Sequence, residues 1–231
     1  KKEYFLTDII NIFYNQKLRV ETFSLDDKDE ILGVNTQKNL SLARKLLNQR
    51  LIDLLMDKGV TIIDPATTFV SCDTKIGNNS IVYPFTFIEK NVIIGSNCSL
   101  GPFVHLRQGT EINDHTEIGN FVELNRATIA GNVRMKHFGY LGDTSVGREV
   151  NIGAGVVVAN FDGKNKHHTH IGERAFIGSD TVIVAPVKVG RGAMTGAGAV
   201  VTKDVKDKTI VVGVPAKDFS PKTKTKKRKA G

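Results

Sequence analysis

Apolar residues recur at almost every sixth position along most of this chain. From Val70 the series advances in steps of six, with two steps of five and one long gap after Val158. A glycine often follows the apolar residue, and a small or β-branched residue tends to stand four places after it. The series consists of Val70, Ile76, Val82, Ile88, Ile94, Leu100, Leu106, Ile112, Ile118, Leu124, Ile129, Met135, Leu141, Val146, Ile152, Val158, Ile171, Ile177, Ile183, Val189, Thr195 and Val201.

A period of six fits neither a helix nor a single strand. A helix of 3.6 residues per turn would spread the series over all of its faces, and a strand alternates with a period of two. Short strands joined by tight turns explain the period if they coil into a triangular prism with six residues on each side. The 22 members of the series then predict about seven coils. Since one coil buries little alone, stacking must supply the stability.

The first 60 residues follow a different pattern. Residues 6–13 have helical spacing, residues 19–23 are a candidate strand, and a long amphipathic helix is expected from residue 35 to about residue 58. Gly59 stands where a helix C-cap is needed. The sequence therefore predicts a small α/β segment with a long helix (1–60), a β-helix domain (61–205) and a C-terminal extension with a basic tail (206–231).

The gap between Val158 and Ile171 holds the most polar segment of the β-helix region. Thirteen positions separate these two residues, and the segment contains two asparagines, an aspartate, two lysines and three histidines. A six-residue side cannot hold it, so the seven extra residues predict a projecting loop. Loops carried by a rigid scaffold are where reactive side chains tend to lie.

Charge and composition exclude several classes of function. The net charge of +8 comes mostly from six Lys and Arg residues within 221–231, so the body of the protein is not basic and nucleic-acid binding is not expected. No apolar run approaches the ~20 residues that span a bilayer, so we expect no membrane insertion and a cytoplasmic location. His167, His168 and His170 have no cysteine or carboxylate at ligand spacing, so no metal site is expected.

Several strings in the β-helix region resemble the hexapeptide-repeat acyltransferases, and in particular the bacterial branch that acetylates glucosamine 1-phosphate. These strings occur in the order found in that branch. They are Gly101–Arg107, Gly119–Glu123, His137–Asp143, Asn151–Gly155, Asn160–Lys166, Ile177–Asp180 and Val184–Pro186.

The resemblance implies a fold, a reaction and an assembly. The fold is a left-handed parallel β-helix, and the hand comes from the resemblance alone. The reaction is acetyl transfer from acetyl-CoA to the amine of glucosamine 1-phosphate, which leads to UDP-N-acetylglucosamine. The assembly is a homotrimer in which the polar loop covers the site of a neighbouring chain. No metal is required, because a thioester is already activated.

The first 60 residues resemble the end of the nucleotidyltransferase domain that precedes the β-helix in bifunctional members of this branch. The strings Glu3–Ile10 and Gly33–Asn35 carry this likeness. The glycine-rich nucleotide loop that opens that domain is absent from the sequence, so uridylyl transfer is not expected. Asn35 corresponds to a magnesium ligand there and is interpreted here as structural. The β-helix also resembles one that has lost turns between about Ile94 and Gly101.

The resemblance also assigns roles to individual residues. His137 is the expected general base, because the attacking amine must lose a proton near neutral pH. The residues expected to bind the amino-sugar phosphate are Arg107, Asn125, Tyr140, Asn151 and Lys166, and those expected to bind acetyl-CoA are Ala154, Asn160, Phe161, Ser179 and Ala197. A guanidinium fork suits a phosphate, and a backbone N–H near Ala154 suits the oxyanion.

Three departures from the branch concern ligand binding. Asn125 replaces a phosphate-binding lysine, with Arg126 beside it as a substitute cation. Phe161 replaces a tyrosine. A coenzyme-binding arginine expected near residues 213–215 is absent, and Lys217 follows closely.

Two alternatives remain open. One is acetylation of another amino sugar, including a nucleotide-linked one. The other is a non-catalytic trimeric scaffold, which would require neither His137 nor the polar loop.

Overall fold

The computed structural model describes residue 3 and residues 5–220, and it separates the chain into two compact units that meet between Leu46 and Leu47. The division falls inside the long helix, and the domain boundaries at residues 60 and 205 remain predictions. The basic tail predicted within 221–231 lies outside the described residues. None of the helices in the described part is long and apolar enough to cross a bilayer.

The first unit is helical. It contains helix α1 (Asp8–Asn15), a 3₁₀ helix (Lys28–Ile31) and the start of α2 (Gln37–Asp57). The strand predicted at residues 19–23 was wrong. Those residues have no partner strand among the described residues of this unit, and a strand is stabilised by its pairing rather than by its sequence alone. Helix α2 ends as predicted, with Gly59 at φ +83°.

The second unit is a parallel β-helix of three sheets. Each coil contributes one strand to sheet A, the next to sheet B and the next to sheet C. Sheet A holds β1 (Thr61–Ile62), β4 (Ile81–Val82), β7 (Ser99–Leu100), β10 (Glu117–Ile118), β13 (Arg134–Met135), β16 (Asn151–Ile152), β19 (Phe176–Ile177), β22 (Met194–Thr195), β24 (Ile210–Val212) and the antiparallel β25 (Lys217–Asp218). Sheet B holds β2 (Phe69–Val70), β5 (Phe87–Ile88), β8 (His105–Leu106), β11 (Val122–Asn125), β14 (Gly139–Gly142), β17 (Val156–Ala159), β20 (Val182–Val184) and β23 (Val200–Val201). Sheet C holds β3 (Lys75–Ile76), β6 (Ile93–Ile94), β9 (Glu111–Ile112), β12 (Thr128–Ile129), β15 (Thr144–Val146), β18 (Thr169–Ile171) and β21 (Lys188–Val189).

The β-helix has eight turns, one more than predicted. The recurring apolar series supplies the inward residue of every strand from β2 to β23. Two further strands continue the stack at its ends, and Ile62 in β1 and Val211 in β24 are their buried residues. The sequence series missed both because irregular segments separate them from its first and last members.

The predicted interior is confirmed. Leu100, Leu106 and Leu124 are completely buried, and a side chain of this size contributes about 1.5–3 kcal/mol on burial. Small and hydroxyl-bearing residues fill the narrow corners, as Ser80 does, whose hydroxyl donates to the carbonyl oxygen of Gly95 at 2.9 Å. The interior therefore provides a rigid frame for the side chains that point outward.

The three outer faces differ in polarity. The outward residues of sheet C are mostly polar or charged: Lys75, Ile93, Glu111, Thr128, Ser145, His170 and Lys188. Face B, the outer side of sheet B, displays Phe69, Phe87, His105, Glu123, Tyr140, Val157, Val182 and Val200. Sheet A ends in the apolar outward residues Phe176, Met194 and Ile210.

An aromatic stack runs along the corner between sheets A and B. The ring centroids of Phe85 and Phe103 lie 4.7 Å apart, and those of Phe103 and Phe121 lie 4.9 Å apart. All three side chains are exposed. Together with the phenylalanine and valine side chains of face B, they form an apolar surface that is exposed within the described part of the chain.

Candidate functional site

Four of the predicted residues occupy the same corner of the prism on successive turns. This corner joins sheet A to sheet B above the aromatic stack. His137, Ser179 and Ala197 are exposed there, and Ala154 is half-buried. We call His137, Ala154, Ser179 and Ala197 the corner row.

Backbone hydrogen bonds hold the corner row together. Each turn donates an N–H to a carbonyl of the turn below, so the spacing of the row is set by the backbone. The bonds run from Gly155 N to Phe138 O (2.8 Å), from Asp180 N to Ala154 O (2.7 Å) and from Gly198 N to Ser179 O (2.8 Å). His137 stands at the lower end of the row, and the small side chains of the other three leave the corner open above it.

A polar cluster lies at the opposite edge of face B. Tyr140 points outward from β14, and its hydroxyl lies over Gly142, where a Cβ atom would be 2.4 Å from Tyr140 Oη. The same Cβ atom would be 2.6 Å from Asn160 Nδ2. The absence of a side chain at Gly142 therefore allows Tyr140 and Asn160 to converge.

Asp143 is the centre of this cluster. It accepts two hydrogen bonds from Arg126, from Nε at 2.6 Å and from Nη2 at 2.8 Å, and a third from Asn160 Nδ2. The Arg126 hydrogen bonds, followed by the one from Asn160, hold the pKa of Asp143 below its usual value despite partial burial. Arg126 Nη1 also donates to the Oδ1 atom of Asn125 at 3.0 Å, and Asn125 is buried.

The gap in the apolar series forms a loop, as predicted. It spans residues 160–168 between β17 and β18 and leaves the prism at the corner between sheets B and C. A bridge joins Phe161 to Lys166, and both side chains are exposed. Asp162 accepts hydrogen bonds from the backbone N–H groups of Asn165 and Lys164, both at 2.7 Å, and lies 2.6 Å from the ring of His167. The Asn165 N–H, the His167 ring and the Lys164 N–H lower the pKa of Asp162.

Arg107 lies one turn below the polar cluster. It follows β8, and its Nη1 donates to Glu123 Oε1 at 3.0 Å. Both side chains are partly exposed. Arg107 therefore reaches face B as a cation that already has a carboxylate partner.

Asn151 lies apart from the other predicted substrate residues. It points outward from β16 on sheet A, next to Arg134 in register. It lines a cleft of about 410 Å³ together with Asn132, Arg134, Glu149 and Val150. One chain thus brings Arg107, Asn125, Tyr140, Asn160 and Lys166 to one edge of face B and leaves Asn151 on another face.

The sequence analysis missed Asp143 and Glu123 as partners of the predicted cations. The coil period contained the signal for one of them. Arg126 and Asp143 each stand two residues after an inward leucine, Leu124 and Leu141, so they occupy the same corner position on consecutive turns. Opposite charges one coil apart predict an ion pair in a β-helix.

Comparison with known proteins identifies related sequences. A family model described as bacterial transferase hexapeptide (six repeats) matches residues 73–108, 91–126 and 168–203. The repeats agree with the left-handed β-helix expected from the sequence, and the predicted fold class is confirmed.

Curated relatives match over nearly all of the chain. The bifunctional protein GlmU of Thermodesulfovibrio yellowstonii is 36% identical, with 99% of this chain and 58% of the relative covered. The GlmU protein of the Wolbachia of Brugia malayi is 42% identical, with 91% and 51% covered. That of Thermotoga maritima is 39% identical, with 92% and 54% covered. The chain thus spans a little over half the length of the relatives it matches.

Solved structures share the fold. The UDP-N-acetylglucosamine acyltransferase of Francisella novicida superposes with a TM-score of 0.52 at 23% identity, covering 68% of each chain. The corresponding enzyme of Campylobacter jejuni gives a TM-score of 0.50 at 18% identity, covering 69% of this chain and 74% of the other. At these identities the likeness concerns the fold alone.

Proposed function

Because the chain carries transferase hexapeptide repeats and is homologous to the acetyltransferase part of the bifunctional GlmU proteins, we propose that it acetylates glucosamine 1-phosphate. The acetyl donor is acetyl-CoA, and the product is N-acetylglucosamine 1-phosphate, which leads to UDP-N-acetylglucosamine. One observation carries the proposal. The corner row and the polar cluster occupy the two edges of the same face, joined by β14.

In this proposal His137 takes the proton that the amine loses as its nitrogen attacks the thioester carbonyl carbon. Histidine suits this step because its ordinary pKa lies close to neutral pH. The Ala154 N–H is the donor that we assign to the developing oxyanion. The acetyl–sulfur bond then breaks, the protonated His137 returns its proton to the departing sulfur, and the amide product and free coenzyme A thiol leave.

Acetyl-CoA fits the corner row for a steric reason. Ala154, Ser179 and Ala197 are small, and they lie one above another on successive turns at this corner. A groove lined by small residues accepts a long, narrow ligand parallel to the prism axis. Asn160 and Phe161 contact the same co-substrate in this proposal, from the loop. Since acetyl-CoA is a cytoplasmic metabolite, the proposal includes a cytoplasmic location.

We propose a homotrimer in which each site is shared by two chains. Face B and the aromatic stack expose apolar residues, whereas the outward residues of sheet C are mostly polar. Contiguous exposed apolar surface marks an interaction site. Within one chain, the four residues of β14 separate His137 from the loop, a distance of about 13 Å at ~3.3 Å per residue. Asn151 lies on another face. A neighbouring chain that supplies the missing side chains would complete the site.

The state of Arg126 favours a second candidate acceptor. The guanidinium group that stands beside Asn125 is engaged with Asp143 through two hydrogen bonds, and Arg107 is paired with Glu123. Lys166 is the remaining cation among the predicted substrate-binding residues. In a nucleotide-linked amino sugar, the phosphate attached to the sugar carries less negative charge than the phosphate monoester of glucosamine 1-phosphate. Such an acceptor therefore requires fewer free cations for binding.

An acceptor panel tests the proposed function. Acetyl-CoA is supplied with glucosamine, glucosamine 1-phosphate or a nucleotide-linked amino sugar, and thiol release is measured for the parent chain and for His137→Ala. We expect the highest kcat/KM with glucosamine 1-phosphate and a loss of about 10²-fold or more on removal of the imidazole. Preference for the nucleotide-linked sugar would select the second candidate, and no turnover with any acceptor would favour a scaffold.

Subunit mixing tests the shared site. His137→Ala and Lys166→Ala chains are unfolded, mixed and refolded, and each variant is treated alone as a control. A site made by two chains regains activity on mixing, because some interfaces combine an intact His137 with an intact Lys166. Activity that stays at the level of the separate variants would contradict the shared site.

A further inference from the structure

We propose that Asp143 is a positioning residue that fixes both ends of loop 160–168, and that Arg126 serves Asp143 rather than the acceptor. This inference rests on the proposed function only for its effect on catalysis. Its structural part concerns the loop itself and can be measured without a substrate.

Asp143 contacts the loop at its start and directly after its end. Its side chain accepts a hydrogen bond from Asn160 Nδ2, at the first residue of the loop. Its backbone carbonyl accepts a hydrogen bond of 3.0 Å from the N–H of Thr169, the residue that follows the loop. The N–H of His167 closes the loop on Asn160 O at 2.7 Å. A single residue of the turn below is therefore hydrogen-bonded to the loop at its start and directly after its end.

Arg126 holds Asp143 in place. Its guanidinium donates to both carboxylate oxygens, a geometry that fixes the carboxylate plane as well as its position. The two residues occupy equivalent corner positions with left-handed backbone conformations, φ +50° for Arg126 and φ +48° for Asp143. Their backbones are also joined through Asn125, whose carbonyl accepts the Asp143 N–H at 2.9 Å.

A carboxylate suits the role of accepting the hydrogen bonds that position the loop. Three donors converge on it, two from Arg126 and one from Asn160, and it offers two oxygen atoms that each accept more than one hydrogen bond. The hydrogen bonds from Arg126 hold the pKa of Asp143 below its ordinary value of 3.8, so the carboxylate is ionised at neutral pH. An amide of the same shape has one oxygen, so at least one of the three donors would face an NH₂ group.

Lys166 is the residue that depends on this arrangement. It projects from the loop opposite Phe161, and its positive charge acts on Asp143 electrostatically. Because Arg126 is engaged with Asp143, Lys166 carries the cationic contact that the acceptor requires at this edge of face B. Asp143 thus acts on the acceptor through the loop and not by touching it.

Hydrogen exchange of the full chain tests the inference in two variants. Asp143→Asn keeps the shape, and asparagine tolerates the left-handed backbone. Arg126→Gln removes the guanidinium group that donates to both carboxylate oxygens of Asp143. We expect exchange of the amides of residues 160–169 to accelerate at least fivefold in both variants, while the amides of β14 exchange at the parent rate.

Arg174→Gln is the matched control. Arg174 also has a left-handed backbone, at φ +56°, and its Nε donates to Glu149 Oε2 at 3.1 Å, at a corner without the loop. The control should leave loop exchange unchanged. Loop exchange within twofold of the parent in both test variants, with melting curves that show intact folds, would overturn the inference.

Steady-state kinetics then separate this inference from the proposed function. We expect kcat/KM for glucosamine 1-phosphate to fall about tenfold in Asp143→Asn and in Arg126→Gln and to stay at the parent value in Arg174→Gln. Faster loop exchange in a chain that acetylates no amino sugar would support the positioning role and reject the proposed function. If the parent and both variants acetylate the sugar and loop exchange is unchanged, the positioning role is rejected and the proposed function is supported.

Discussion

Gly142 offers a test in which stability and activity should respond differently. An alanine Cβ atom there would lie 2.4 Å from Tyr140 Oη and 2.6 Å from Asn160 Nδ2. Ordinary van der Waals contact begins at 3.4 Å, so the hydroxyl must retreat by about 1.0 Å and the amide by about 0.8 Å. Both atoms are ends of side chains that can move, and the backbone at Gly142 is not left-handed.

We therefore expect Gly142→Ala to fold and to lose activity. Its free energy of unfolding should fall by about 1 kcal/mol, the low end for overpacking, which lowers the melting temperature by about 2–4 °C. Its kcat/KM for the acceptor should fall by up to about 10²-fold, the cost of misplacing binding groups by about 1 Å. Thermal melting and the thiol-release assay measure the two quantities.

Gly33→Ala is the control, because the nearest atom to its new Cβ is Asn35 Nδ2 at an ordinary 3.7 Å. The control should match the parent in both assays. A Gly142→Ala enzyme with kcat/KM within twofold of the parent would refute the reasoning, since the site would then tolerate displacement of Tyr140 and Asn160. A loss above about 3 kcal/mol would also refute it, because the backbone would have had to move.

Three further predictions concern the core, the polar cluster and the exposed aromatic surface. Leu106→Ala deletes a fully buried side chain and should cost about 2–5 kcal/mol in urea denaturation; a cost below about 1 kcal/mol would contradict the packed interior. The carboxylate of Asp143 has a lowered pKa in the folded state, so its stabilisation is present above the ordinary value of 3.8 and is lost as the pH falls through the lowered one. The stability difference between the parent and Asp143→Asn should therefore be constant near neutral pH and shrink below pH 3.8, and a difference that persists at lower pH would argue against this assignment. Phe103→Asn removes the middle ring of the exposed stack and should weaken the proposed trimer in sedimentation experiments; an unchanged dissociation constant would place the proposed subunit interface elsewhere.

The interior of the β-helix could be predicted from the sequence because its constraint is repetitive. Each strand must place one apolar residue inside, so positions such as Leu100 and Leu106 recur with the length of a prism side. The series did not predict strands β1 and β24, because irregular connections separate their buried residues Ile62 and Val211 from the rest of the series. The candidate strand at residues 19–23 was wrong because strand propensity does not supply a partner.

The outward side chains could be predicted less completely. The loop was predicted from the gap in the apolar series and His137 from the resemblance, and the structure adds that they lie at opposite ends of β14. The pairing of Arg126 with Asp143 was missed, although the coil period places the two residues at the same corner on consecutive turns. Asn151 was grouped with the substrate residues, although its strand belongs to another sheet, which the coil period by itself could have indicated.

In the proposed function, His137 accepts a proton while an acetyl group moves onto an amino-sugar nitrogen. Incubation of glucosamine 1-phosphate with acetyl-CoA labelled with ¹³C in the acetyl carbonyl, followed by NMR, tests it directly. The parent should convert the thioester carbonyl signal into an amide carbonyl signal, and His137→Ala should do so at least about 10²-fold more slowly. An amide signal that appears equally fast in both, or in neither, would contradict the account.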